Sequence, residues 1–200
     1  MILLSCSRKK QCVKVGYKAV WILLFALLCL SSLVCGQSLD EDVFLQLAET
    51  ARESTEFADR FDEEVWFTDM SGRMQTFVKD DKQRKVILKK IHMEAKRAKL
   101  NPKLILALIQ TESAFDSYAV SSAGAQGLMQ VMPFWKQEIG SLDDNLISID
   151  TNLRYGCTIL SLYLEKEKGN LTRALARYNG SLGEFWYPER VYTNLEKYWQ

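Results

Sequence analysis

Apolar residues recur every three or four positions in one segment after another between Phe44 and Tyr198, and that spacing commits the chain to an all-α fold. Phe44, Leu47, Ala48 and Ala51 mark one stripe; Trp66, Met70, Met74 and Phe77 mark a second, weakened by Gly72. Ile87, Ile91, Ala95 and Ala98 follow, and Asn101-Pro102 closes that stripe. Asn101 can cap a new helix and Pro102 fits its first position, where no N–H is needed. That helix carries Leu104, Ile105, Leu108 and Ile109 on one face. Beyond Tyr118 the period is lost among Ser121, Ser122, Gly124 and Gly127, which predicts a loop to Pro133 with a short strand at residues 128–131. A short helix is expected over residues 134–139, with Asp144 or Asn145 leading into a helix over 149–164. Asn170 caps a helix over 171–178, the Asn179-Gly180 pair stops it, and Val191, Leu195 and Tyr198 carry the last one.

The first 36 residues have a different character. Arg8, Lys9, Lys10, Lys14 and Lys18 precede an apolar run over 19–34, with no acidic residue and with Ser31, Ser32 and Gly36 near its end. This is the pattern of a secretory signal peptide. The run falls short of the roughly 20 apolar residues that span a bilayer comfortably, so an uncleaved anchor or a lipid-modified Cys35 is the weaker reading. The chain is therefore expected to be exported to the periplasm or cell envelope. Its organisation reads as a leader at 1–36, an N-terminal helical extension at 37–80 and a larger helical domain at 81–200.

Setting the leader's five bases aside from the chain's 26, against 25 acids, leaves the remainder near −4. No basic patch calls for nucleic acid. The cluster Lys82, Arg84, Lys85, Lys89, Lys90, Lys96, Arg97 and Lys99 lies at helical spacing among apolar residues and reads as a solvated helix face. Four of the five cysteines lie in the leader, so Cys157 would be left alone, continuing the stripe Ile149, Leu153, Leu160 as a small core side chain. His92 is the single histidine, which argues against a His-ligated zinc site and a Ser-His-Asp hydrolase. There is no P-loop or dinucleotide fingerprint, and Asp143-Asp144-Asn145 does not continue as a calcium loop. No cofactor and no metal are expected.

One carboxylate falls where a carboxylate is unusual. Leu104, Leu108 and Glu112 are spaced i, i+4, i+8, so Glu112 extends an apolar stripe into the end of its helix. Burial and the partial negative charge of a helix C-terminus both disfavour its ionised form. A shift of roughly two units would keep it protonated near neutral pH, as a general acid requires. Tyr178 likewise extends the Leu171, Leu175 stripe at the end of its helix, and two polar helix tips on apolar faces can floor a cleft.

Three blocks then carry a resemblance: Thr111-Glu112-Ser113; Ser121 through Pro133, which contains Gly127-Leu128-Met129-Gln130; and Ala176-Arg177-Tyr178-Asn179-Gly180. From about Ile87 to Tyr198 the chain resembles the soluble lytic transglycosylase domain. The resemblance implies an all-α, goose-lysozyme-like helical domain with a glycan-binding cleft and an N-terminal helical extension. It implies that Glu112 protonates the glycosidic oxygen between N-acetylmuramic acid and N-acetylglucosamine. Ser121 would hydrogen-bond near the acetamido group, and Gln130 with the backbone of Gly127 and Met129 would line the groove. The Met129 and Met132 side chains would pack beneath it, Tyr178 would place its hydroxyl near Glu112, and Asn179 would brace the turn. Tyr187, in Tyr187-Pro188-Glu189-Arg190-Val191, is similar to a further groove tyrosine. The Glu-Thr pair common upstream of that tyrosine is missing, with Glu184 a loose substitute.

Most glycosidases use two carboxylates, whereas Asp116 is the sole acid between Glu112 and Glu138 and sits in a turn. The resemblance implies instead that the muramic 6-hydroxyl attacks C1 and leaves a 1,6-anhydro end. Two other functions stand beside this one. One is a muramidase with the same acid, releasing hydrolysed ends; the other is a non-catalytic peptidoglycan-binding protein. The expected partners are peptidoglycan glycan strands, with peripheral membrane or cell-wall assembly proteins in addition, and the chain is expected to be a monomer.

Overall fold

A computed structural model describes residues 41–200; the leader at 1–36 and its cysteines lie outside them. The described residues fall into two units, one ending at Phe57 and the other Ala58–Gln200. The helices are α1 (Glu41–Met74), α2 (Asp81–Arg97), α3 (Pro102–Ser113), α4 (Trp135–Ile139), α5 (Ile149–Lys166), α6 (Leu171–Asn179) and α7 (Trp186–Asn194), followed by a π-helical turn, Leu195–Trp199. Among the described residues no helix is long and apolar enough to cross a membrane.

The core of the second unit is built around α3. Every residue from Leu104 to Ile109 is buried, so this helix is enclosed all round rather than along one stripe. It packs against α2, α7 and the π turn, while α5 packs on α2 and α6. Local sequence sets its limits: Asn101 accepts a hydrogen bond from the Lys103 amide, Pro102 takes the first turn, and Ala114 ends it in the left-handed region. Asn170 starts α6 by accepting from the Arg173 amide, and Gly180, at φ +82°, ends it. Cys157 is fully buried on α5.

Two features refine the sequence reading and two depart from it. α1 runs through Gly72 unbroken, because Met70 and Met74 on either side of it are fully buried in the core and offset the roughly 1 kcal/mol cost of a glycine in a helix. Arg84 is not solvated. Its guanidinium is buried, donating to the Val78 and Lys79 carbonyls in the connection between α1 and α2 and pairing with Asp81. α5 starts after Ser148, which makes no capping bond. Asn145 accepts from the Ile147 amide, and Asp144 from the Ser141 amide and the Tyr155 hydroxyl. The segment from Val120 to Val131 forms only isolated bridges, Val120 with Gln126 and Gln126 with Val131, rather than a strand.

Candidate active site

Glu112 sits in the last turn of α3, where a ladder of polar side chains locks that helix to α7. The Trp199 indole N–H donates to Gln110 Oε1 at 2.8 Å, and the Gln110 amide donates to Asn194 Oδ1 at 3.2 Å. The Asn194 amide in turn donates to Thr111 Oγ1 at 2.9 Å. These bonds hold the last turn of α3 against the C-terminal end of α7. At the other end of α7, fully buried Tyr187 donates its hydroxyl to Glu112 Oε1. Just beyond the acid, Ala114 and Phe115 both have positive φ (49° and 70°), a strained pair of conformations for residues with a Cβ. Phe115 is held there by burial between Phe77 and Trp199, at ring separations of 5.4 and 5.6 Å.

Burial dominates the electrostatics of Glu112 and raises its pKa from 4.5 to about 7; the Tyr187 hydroxyl and the more distant Arg190 charge pull it back only in part. No other carboxylate is among the groups that move it. The Tyr187 phenol is pushed well above 10 by burial and by the Glu112 charge, so it remains a donor. At neutral pH the pair is a carboxyl group close to half-protonated beside a phenol that keeps its proton. That arrangement can give a proton and take one back.

The loop of residues 119–131 is shaped by a side chain outside the expected set. Asn152, fully buried on α5, accepts from the Met129 amide at 2.7 Å and donates to the Gln126 and Leu146 carbonyls at 2.7 and 2.8 Å. Gly127 lies against that same asparagine. A Cβ there would come 2.5 Å from the Asn152 amide nitrogen, and φ is +73°. Gly156 plays a matching part, since a Cβ would sit 2.3 Å from Met129 Sδ. Ser113, next to the acid, donates its hydroxyl to the Leu128 carbonyl at 2.8 Å and so ties α3 to this loop. Asn152 and Gly156 were missed because their partners in this loop lie 23 to 27 residues away and leave no local pattern, and Ser113 was read only as part of the Thr111-Glu112-Ser113 block.

The expected residues fall into three groups. Glu112 and Tyr187 are in direct contact, and Tyr178 is close enough to feel the Glu112 charge. The Tyr178 hydroxyl, however, donates to the Met129 carbonyl at 2.7 Å, so the phenol bonded to the acid is Tyr187's. Gly127, Met129 and Gln130 form one tight turn. Met129 is buried, and Gln130, at φ +48°, donates its amide to the Gly127 and Ala119 carbonyls at 3.0 and 3.2 Å. Ser121 Oγ accepts from the Ala125 amide at 3.0 Å within its own turn. Asn179 is exposed, and no side-chain bond from it braces its turn. The Gly180 and Ser181 amides close it on the Arg177 and Ala176 carbonyls. Glu184 is exposed, and Asp116 accepts from the Tyr118 amide in a turn.

An all-helical domain that buries one glutamate against a phenol, beside an asparagine-braced glycine loop, belongs to a recognisable class. The family model "Transglycosylase SLT domain" matches residues 89–198, and the chain belongs to that family. It is 31% identical over 103 residues to a transglycosylase of Enterobacteria phage PRD1, covering 48% of this chain and 38% of the phage protein. It is 34% identical over 119 residues to the membrane-bound lytic murein transglycosylase C of Edwardsiella ictaluri, covering 52% of this chain and 33% of that protein. A crystal structure of an inactive mutant of the lytic transglycosylase Slt from Pseudomonas aeruginosa aligns at 37% identity and a TM-score of 0.44, covering 47% of this chain and 16% of that one. The chain thus spans about a third of the length of the curated relatives it matches.

Proposed function

We propose that this protein is a peptidoglycan lytic transglycosylase that cleaves the β-1,4 bond between N-acetylmuramic acid and N-acetylglucosamine with Glu112 as its single acid and base. The observation that carries the reading is a carboxyl group raised to about 7 by burial, with no second carboxylate among the groups that act on it. Protonated Glu112 gives its proton to the glycosidic oxygen as the C1–O4 bond breaks, and the bond's electron pair leaves with that oxygen. The Tyr187 hydroxyl steadies the carboxylate so formed. The muramic 6-hydroxyl then attacks C1, and its proton returns to Glu112. The product is a 1,6-anhydromuramic end, and no water is consumed.

In this reading the turn of Gly127, Met129 and Gln130, with Ser121, Tyr178 and Asn179, borders the glycan. Two relatives are each named membrane-bound lytic murein transglycosylase C, which supports action on the cell envelope; the domain division at residue 80 and export through the leader belong to the same proposal. The test is mass spectrometry of sacculi digested by the purified protein and by Glu112→Gln. Anhydromuramic ends from the wild type alone support the proposal. Reducing muramic ends would instead identify a muramidase using the same acid. Undiminished digestion by Glu112→Gln would remove Glu112 from the chemistry altogether.

A further inference from the structure

Every arginine from Arg73 onward has a carboxylate within ion-pair distance, with one exception. Arg73 pairs with Asp69, Arg84 with Asp81, Arg97 and Arg154 with Glu94, and Arg173 and Arg177 with Glu167. Arg190 is exposed and has no partner among the described residues. It lies on α7 three residues after Tyr187, and its charge reaches Glu112 in the direction that works against holding a proton. An anion bound to the guanidinium would cancel that opposition.

One turn earlier on the same face of α7 stands Trp186, four residues from Arg190. Its ring meets that of Tyr187 edge-on at 5.8 Å, yet the residue is 53% exposed. Phe185 and Leu182, in the connection between the Tyr178 and Tyr187 helices, are exposed as well. A wide apolar ring face beside a proton-donating pair suits the C–H face of a pyranose. An unpaired guanidinium one turn away suits a carboxylate, which it can grip through two parallel N–H bonds.

We infer that Trp186 and Arg190 form a recognition site for a muramyl residue carrying a free carboxylate on its lactyl or peptide side chain, the indole stacking on the sugar and the guanidinium pairing with the anion. This rests on the transglycosylase reading and adds to it a preference for carboxylate-bearing glycan. It also couples recognition to chemistry, because the bound anion neutralises Arg190 and lets Glu112 keep its proton to higher pH. The basic limb of kcat then lies above that of kcat/KM on such a substrate.

The experiment compares solubilised, uncross-linked glycan strands from sacculi with the same strands after their carboxylates are converted to methylamides. Arg190→Gln is expected to lower kcat/KM about tenfold on the first and hardly at all on the second. Trp186→Ala is expected to raise KM on both while kcat holds. For the wild type, the gap between the kcat and kcat/KM limbs should vanish on the amidated strands. Equal losses for Arg190→Gln on the two substrates, or an unchanged KM for Trp186→Ala, would overturn the inference. Glu112→Gln in the same assay separates the two proposals. If it stays active, the transglycosylase reading falls; if it is dead while Arg190→Gln fails to discriminate, only this inference falls.

Discussion

Glu112 and Glu167 stand at the C-terminal ends of two helices, α3 and α5, yet the fold gives them opposite acidities. The Glu167 side chain is only 7% exposed, but it accepts from Arg173 Nε at 2.5 Å and Arg177 Nε at 2.7 Å, and these hydrogen bonds hold its pKa below the usual glutamate value. Glu112 is offered a neutral phenol in place of a cation, and its pKa rises to about 7. Burial without a cation raises the pKa of one carboxyl, and two cations at hydrogen-bond distance lower that of the other. Two guanidiniums make Glu167 a permanent anion that joins α5 to α6, whereas a phenol leaves most of the desolvation cost at Glu112 uncompensated.

The largest effect expected from breaking this contrast belongs to Glu112→Gln. Loss of a general acid should lower the rate of glycan cleavage on the order of 10²–10⁴-fold. Stability should move the other way. A carboxyl whose pKa is raised on folding contributes stability that is intact below its unfolded value and is lost as pH rises through the folded one, here from 4.5 to about 7. At about 1.4 kcal/mol per unit, the wild type should lose about 3 kcal/mol between pH 4.5 and 8. The glutamine variant should not, so chemical denaturation at pH 8 should find the inactive variant the more stable protein.

Next in size is Asn152→Leu, which leaves the Met129 amide and two carbonyls buried without partners. It should cost about 3 kcal/mol or more in unfolding free energy. Activity should fall with it, but the pH profile of what remains should not shift, because Asn152 is not among the groups that act on the Glu112 carboxyl. Tyr187→Phe should do the reverse. It removes a hydrogen bond that favours the ionised form, so the basic limb of kcat/KM should move upward, with a rate loss of about tenfold. Glu167→Gln is the smallest and the control. Its melting temperature should fall below wild type at neutral pH and rejoin it in acid, since a depressed carboxylate gives up its stabilisation as pH falls through its folded pKa. The pH–rate profile should stay in place.

How much of this was legible in the sequence depended on how far apart the interacting residues lie. The caps at Asn101 and Asn170 and the stop at Gly180 are contacts within four residues of themselves, and the sequence shows them directly. The apolar register of Leu104 and Leu108 likewise points to the burial of Glu112. Gly72 misleads because intrinsic propensity is weaker than the burial of Met70 and Met74 around it. The exchange of roles between Tyr178 and Tyr187 was not legible. Each lies at an end of its helix on a core-facing side, and only the packing of α7 on α3 decides which hydroxyl reaches the acid. Asn152 was hidden for the same reason, as a polar residue in the first turn of α5 whose three partners come from two other segments.

The account turns on the proton carried by one side chain, and carbon-detected NMR of selectively labelled glutamate can follow it. The Glu112 carboxyl signal, assigned by its absence from Glu112→Gln, should titrate with a midpoint near pH 7. A midpoint near 4.5, the value of a glutamate in water, would mean that the group is already an anion at neutral pH and cannot be the acid.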